Sequence, residues 1–204
     1  MKTIDFGETQ NQIVDNEIIE LLQKGAISEC KHEDNEFISN IFLVKKKGEK
    51  FRPVINLKRL NKFIEYHLFK MENIETVFNS IKRNSYFVNL DLQNAYFPLS
   101  IHKYYRKYLK FEWRDKLYQF NCLCFGISSS PRVFSKLMKV IFAHIRRMGI
   151  SAFYYIDDSL IEADSPYLCT NQSQFLMTMM ENLGFYINYD KSNLIPSTRI
   201  ELIL

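Results

Sequence analysis

Glycine and proline are scarce in this chain, six and five among 204 residues. With so few breakers there is no material for a long flexible linker or a low-complexity tract, and no internal repeat is visible. The four cysteines, Cys30, Cys122, Cys124 and Cys169, fall without CxxC spacing. That speaks against a disulfide framework and leads us to expect an intracellular, reducing compartment, cytoplasm or nucleus. Cys122-Leu123-Cys124 would put two thiols on one side of a strand, yet no His or Cys motif follows, so they read as core residues. His32, His67, His102 and His144 are scattered without ligand spacing. No apolar run approaches the roughly eighteen residues of a membrane-spanning helix, and no signal-like run opens the chain. No membrane role is expected.

A large net charge is lacking as well: 27 basic against 23 acidic residues leave a formal charge of +4. The positives nonetheless gather at Lys45-Lys46-Lys47, Lys50, Arg52, Lys58, Arg59 and Lys62. Such a run serves equally as a solvated face or, with Phe42, Phe51 and Phe63 interleaved, as a groove for nucleic acid.

What the chain does have is apolar content, 47% hydrophobic and 15% aromatic, enough to bury a core as one domain or two small intertwined ones. Asp15-Asn16 before an apolar run and Gly25 after it predict a short helix over 16–24. Phe37 to Val44 and Phe51 to Asn56, with Lys45 to Lys50 around Gly48 between them, predict a basic-tipped β-hairpin. In the second half, strand 86–92 precedes a helix over 133–148, where Phe134, Leu137, Met138, Ile141, Ile145 and Met148 recur at three- and four-residue steps before Gly149. Strand 152–156 then turns through Asp157-Asp158 into strand 159–162. A helix carrying Phe175, Leu176, Met179, Met180 and Leu183 runs to Gly184, and strand 185–189 follows. The Met and aromatic residues of both helices read as core. The order β-α-β-β-α-β is that of a split βαβ, or ferredoxin-like, α+β fold, with both helices on one face of an antiparallel sheet. It can lay the two acid-bearing strands side by side.

Those strands are the informative part. Leu90-Asp91-Leu92 and Tyr155-Ile156-Asp157-Asp158 each set carboxylates at the end of an apolar, aromatic run. A half-buried acid is costly unless a positive group meets it, and adjacent carboxylates repel unless a cation or proton separates them. Taken alone, the Asp-Asp pair would serve as well in an ordinary turn. Together with Asp91, the segment Gly126 to Pro131 and the basic run, it suggests a divalent cation, magnesium by preference.

These motifs, in this order from about Phe37 to Lys191, resemble the polymerase domain of reverse transcriptases: the basic hairpin ending in Arg52, Asp91 with Tyr96 five residues on, Phe125-Gly126 with Ser130-Pro131, Tyr155-Ile156-Asp157-Asp158, and Leu183-Gly184-Phe185 leading to Lys191. The phrasing of 51–57 and 130–134 is most similar to retrotransposon enzymes of the DIRS and Ty-gypsy kinds. The resemblance implies right-hand fingers and palm, with a lead-in helix over 1–30, fingers over 31–66 and 99–129, and palm over 67–98 and 130–204. It implies an RNA-directed DNA polymerase joining deoxynucleotides to a primer 3′-hydroxyl on an RNA template, with two Mg²⁺ ions, or Mn²⁺ in their place. Asp91, Asp157 and Asp158 would be catalytic, with Asp91, Asp157 and the Leu92 carbonyl as metal ligands. Lys46, one of three consecutive lysines, and Arg52 would grip the triphosphate. Asn94, Ala95, Tyr96, Phe125, Gly126 and Lys191 would border the nucleotide, Tyr96 excluding a 2′-hydroxyl. Tyr155 and Pro131 would meet primer and template. Asn94 departs from the Asp frequent in relatives, and the chain ends where relatives continue into a thumb. The expectation is therefore a piece of a longer polyprotein with thumb and RNase H regions, or else a silent remnant that binds nucleic acid. A ferredoxin-like domain unrelated to nucleic acid is the remaining reading.

Overall fold

The computed structural model describes residues 5–45, 51–70 and 81–199. In chain order its elements are α1 (Glu8–Gln23), β1 (Ile27–Glu29), β2 (Ile38–Ser39), β3 (Ile41–Lys45), β4 (Phe51–Ile55), a 3₁₀ turn (Leu60–Phe63), β5 (Tyr86–Gln93), α2 (Lys103–Arg106), β6 (Lys110–Trp113), β7 (Lys116–Phe120), α3 (Ser130–Arg147), β8 (Ser151–Tyr155), β9 (Asp158–Ala163), α4 (Pro166–Asn182), β10 (Tyr186–Ile187) and β11 (Asn193–Ser197). None of the described helices is long and apolar enough to cross a membrane. The chain divides into two compact units, Met1–Tyr66 with Leu99–Ser130, and His67–Pro98 with Pro131–Leu204.

The first unit holds a sheet in the order β1-β7-β6-β2 and the β3–β4 hairpin. Helix α1 begins at Glu8, eight residues before the expected start, because nothing between Gly7 and Gly25 breaks a helix and its polar first turns need no apolar stripe. Val14 and Ile18, four residues apart, are its buried side chains. The run Phe37 to Val44 is not one strand. Ile38–Ser39 lies parallel to β6, whereas Ile41–Lys45 pairs with Phe51–Ile55 in register Lys45 opposite Phe51. The hairpin tip, with Lys46, lies outside the described residues.

One charge in this unit is wholly buried. The Lys110 ammonium, on β6, reaches Glu36 Oε2 at 2.8 Å, Glu33 Oε1 at 2.9 Å and the Lys31 carbonyl at 2.8 Å. Its three donors thus each meet an acceptor. Burial alone would raise the Glu36 pKa, but the bonds from Lys110, His32 and the Glu33 backbone N–H prevail and hold it at about 2.

The second unit is built on an antiparallel sheet in the order β10-β5-β9-β8, with β11 also pairing with β5. Numbering the four strands of the sequence pattern, that order is 4-1-3-2, the ferredoxin-like arrangement expected from β-α-β-β-α-β. Because alternate residues face opposite sides, β5 splits cleanly. Val88, Leu90 and Leu92 are buried on one face, in line with Ile161 and Ser159 of β9 and Ala152 and Tyr154 of β8. Helix α3 covers that face through Tyr154, whose hydroxyl donates to the Ser135 carbonyl and whose ring lies 4.9 Å from that of Phe142. Helix α4 packs over β5, β9, β10 and β11 and is started by Ser165, whose hydroxyl accepts from Leu168 N–H. Strand 185–189 shrinks to Tyr186–Ile187, and β11 adds an edge that the apolar pattern of Asn193-Leu194-Ile195-Pro196 does not announce, since proline there removes a ladder donor.

Candidate active site

The other face of this sheet carries the acids. Its rows, read across β8, β9 and β5, are Ser151–Glu162–Phe87, then Phe153–Leu160–Asn89, then Tyr155–Asp158–Asp91. Phe87 and Leu160 are buried with Ile81 and Phe153 packed against them, so the middle of the face is closed by hydrocarbon. The last row remains half-buried, and there Asp91 stands directly opposite Asp158. Directly opposed residues in an antiparallel pair bring their side chains within about 5 Å at Cβ. Burial and then the Asp91 charge raise the Asp158 pKa, while a hydrogen bond from the Asn89 side chain and the Lys191 charge pull it down.

Asp157 sits one residue earlier, in the two-residue connection between β8 and β9. Its carbonyl accepts from Leu92 N–H at 2.8 Å, tying the turn to the strand of Asp91. The turn is strained: Ile156 has φ 53°, a left-handed conformation that costs a β-branched residue on the order of 1–3 kcal/mol. Asn94, just past β5, also has positive φ, at 51°, where asparagine is at ease. There it closes a tight bend, with Phe97 N–H donating to its carbonyl at 2.8 Å. The bend buries Ala95 and Tyr96. The Tyr96 ring meets Phe134 edge-on at 5.3 Å, and its hydroxyl is pushed up to about 12 by burial and by the charge of Asp157. Asp157 and Tyr96 are therefore electrostatic neighbours.

The second unit thus brings together Asp91, Leu92, Asp158, Tyr155 and Asp157, with Asn94, Ala95 and Tyr96 in the bend, exposed Lys191 beside Asp158 and Pro131 in the first turn of α3. The first unit holds Arg52, Phe125 and Gly126. The Arg52 guanidinium lies 5.0 Å from the Phe125 ring centre, and Gly126 has φ 97°, which a residue with a side chain adopts only under strain. Among the described residues no group of three or more His, Cys, Asp or Glu gathers closely enough to hold a metal ion. Even so, the donor set suits a hard divalent ion: two opposed carboxylates, a third on the adjoining turn, and the Asn89 Oδ1, a buried oxygen with no hydrogen-bond partner.

Three side chains with roles at these sites escaped the sequence reading. Asn89 lies two residues before Asp91, on the same face, and a period-two count would have found it. Asn61 donates to the Gly126 carbonyl at 2.8 Å and accepts from Ser128 N–H at 2.9 Å, clasping the 126–128 loop. Ser192 accepts from Asp91 N–H at 3.0 Å. Nothing in the local pattern announces either of the last two.

Residues 44–202 match the family model described as reverse transcriptase (RNA-dependent DNA polymerase). The genome polyprotein of Petunia vein clearing virus is 32% identical over 136 residues, covering 65% of this chain and 6% of the relative. The transposon Tf2-3 polyprotein of Schizosaccharomyces pombe is 25% identical over 180 residues, covering 88% of this chain and 13% of the relative. The chain spans only those small shares of both. Among solved structures, a foamy viral protease-reverse transcriptase in complex with double-stranded DNA matches with a TM-score of 0.85 at 19% identity, over 100% of this chain and 34% of that one. The native protease-reverse transcriptase of prototype foamy virus matches at 0.79 and 20%, over 95% and 25%. At that identity the two structures speak for the fold.

Proposed function

Because the chain belongs to the reverse transcriptase family, a family that uses divalent metal, we propose that it extends a primer 3′-hydroxyl with deoxynucleotides on an RNA template. The observation that carries this reading is the β5–β9 register, which opposes Asp91 to Asp158 and leaves Asp157 on the adjoining turn. In this reading Asp91 and Asp157, with the Leu92 carbonyl, hold two Mg²⁺ or Mn²⁺ ions, and Asp158 completes the acidic cluster. Bound there, the ions would favour the attacking alkoxide and offset charge on departing pyrophosphate.

The remaining work falls to the chain's own groups. Arg52, its guanidinium stacked on Phe125, offers in-plane N–H donors to triphosphate oxygens, and Lys46 adds a second cation. Asn94 and Ala95 present backbone to the nucleotide, and the Tyr96 ring leaves no room for a 2′-hydroxyl. Phe125 and Gly126 border base and template, Lys191 delivers a proton to the leaving group, and Tyr155 and Pro131 touch primer and template. Residues 31–66 and 99–129 are then fingers, and 67–98 and 130–204 palm, preceded by the α1 lead-in. That both relatives are polyproteins supports the proposal that this chain works within a longer polyprotein; thumb and RNase H regions beside it are what the family resemblance implies. Its four free cysteines support an intracellular site of action, in cytoplasm or nucleus.

Primer extension on a homopolymer RNA template with Mg²⁺ or Mn²⁺ tests the reading. Asp157→Asn should lower incorporation by about a hundred- to a thousandfold, in the range seen when a transition-state electrostatic contact is lost. Equal incorporation by both chains would overturn it. Asn94, which stands where relatives frequently carry Asp, favours one second reading, a silent remnant that binds nucleic acid. In that case both chains bind a primer-template duplex and neither extends it.

A further inference from the structure

Resting on that reading of the acidic cluster, we propose that Ser192 is a positioning residue for Asp91, holding the backbone of the catalytic strand where the pairing along this edge of the sheet is interrupted. Strand β10 pairs with β5 as far as Ile187 opposite Leu92, and β11 resumes with Asn193 opposite Asn89. Five residues, 188–192, therefore lie opposite only two, Leu90 and Asp91. On that edge the Asp91 carbonyl still accepts from Asn188 N–H at 2.8 Å. The Asp91 N–H has lost its strand carbonyl to the bulging turn.

The Ser192 hydroxyl takes that place. It accepts from Asp91 N–H at 3.0 Å and donates to the Asn188 carbonyl at 2.8 Å, while Ser192 N–H donates to the same carbonyl at 2.9 Å. One oxygen thus acts as acceptor and donor at once, which serine and threonine can do and alanine cannot. With both its N–H and its C=O engaged by the 188–192 turn, Asp91 has its peptide planes fixed, and with them the direction in which its side chain leaves the strand. The same turn carries Lys191, whose charge acts on Asp158. The hydroxyl therefore fastens two parts of the site, the acid-bearing strand and the lysine-bearing turn, to each other. Groups that orient metal ligands in this way typically govern affinity without touching the ion.

The test is Mn²⁺ binding by the full chain, read from the electron paramagnetic resonance signal of free Mn²⁺, so that it does not depend on polymerisation. Ser192→Ala should raise the Mn²⁺ dissociation constant about tenfold, and Ser192→Thr should restore it. Ser85→Ala serves as control, because it removes a hydroxyl from the same unit, away from the acids, where Ser85 Oγ donates to Glu162 at 2.8 Å. It should lower the melting temperature yet leave Mn²⁺ binding unchanged. If Ser192→Ala binds Mn²⁺ as the parent does, or if Ser85→Ala weakens binding equally, the positioning role is overturned and the polymerase reading stands. If the parent binds Mn²⁺ no better than an Asp91→Asn, Asp157→Asn chain, the metal-site reading itself fails and takes this proposal with it.

Discussion

The two ends of strand β9 each carry a carboxylate on the same face of the sheet, and they are treated in opposite ways. At one end Glu162 is buried and met by three donors, Lys82 N–H at 2.7 Å, Ser85 Oγ at 2.8 Å and Ser151 Oγ at 2.9 Å. At the other end, four residues away, Asp158 is half-buried and faces another carboxylate, Asp91. A buried charge surrounded by donors fastens the segments that supply them, here the approach to β5 and the start of β8. A charge set against its like does the reverse, leaving an electrostatic conflict that only a cation or proton relieves. The local pattern does not say how each acid is met, since Asp158 opens the run of β9 and Glu162 follows its apolar residues Leu160 and Ile161. Their neighbours across the ladder decide what each is for.

The largest expected effect on stability tests the satisfied end. Glu162→Ala strands two hydroxyls and a backbone N–H without their acceptor and should cost about 3 kcal/mol. That corresponds to a fall in melting temperature of roughly 6–12 °C for a chain of this size, measured by calorimetry. If the change is below about 1 kcal/mol, a typical value for a surface substitution, the distinction between the two ends dissolves.

A smaller effect extends the same rule to the first unit, where Glu36 is likewise met by donors and sits at about 2 instead of its ordinary 4.5. A carboxylate lowered on folding contributes stability that is complete above the unfolded value and disappears as pH falls through the folded one. The contribution of Glu36 should therefore be full above about 4.5 and gone near 2, an effect on the order of 2 kcal/mol once its partial exposure is allowed for. Melting curves of the parent and Glu36→Gln at stepped pH should converge across that window. Parallel curves would mean that Lys110 does not hold this charge.

What the amino-acid sequence makes legible follows the same divide. The β-α-β-β-α-β order was legible because β5, α3, β8, β9 and α4 each carry a clean apolar period, and the strand order 4-1-3-2 follows from that pattern. The pairing of Asp91 with Asp158 is legible only through the succession of motifs and the strand order, since an Asp-Asp pair alone suits an ordinary turn. The apolar pattern marks only the second half of helix α1, since its first turns are polar and only the absence of a breaker extends them to Gly7. Period and propensity make a single strand of Phe37 to Val44 because they say nothing about which partner each half takes. Asn61 and Ser192 act by hydrogen bonds to backbone 65 and 101 residues away, and no local pattern encodes those. Nothing in the pattern of strand 159–162 shows that Glu162 meets three donors, two of them 80 and 77 residues away.

The smallest effect is the most diagnostic, because its sign is opposite to that expected when a half-buried, hydrogen-bonded side chain is replaced. Replacing Asp158 by Asn removes a charge that stands opposite Asp91, and like charges directly opposed across a ladder destabilise by about 0.2–1 kcal/mol. In the presence of a chelator, Asp158→Asn should therefore melt about 1–3 °C above the parent, whereas Glu162→Ala melts far below it. Adding Mn²⁺ should reverse the order, since a cation that binds only the folded chain stabilises it by mass action and the parent presents the fuller set of carboxylates. A parent unmoved by Mn²⁺, or an Asp158→Asn chain that melts lower under chelation, would mean that the Asp91–Asp158 row carries no stored repulsion. The two ends of β9 would then differ in exposure alone.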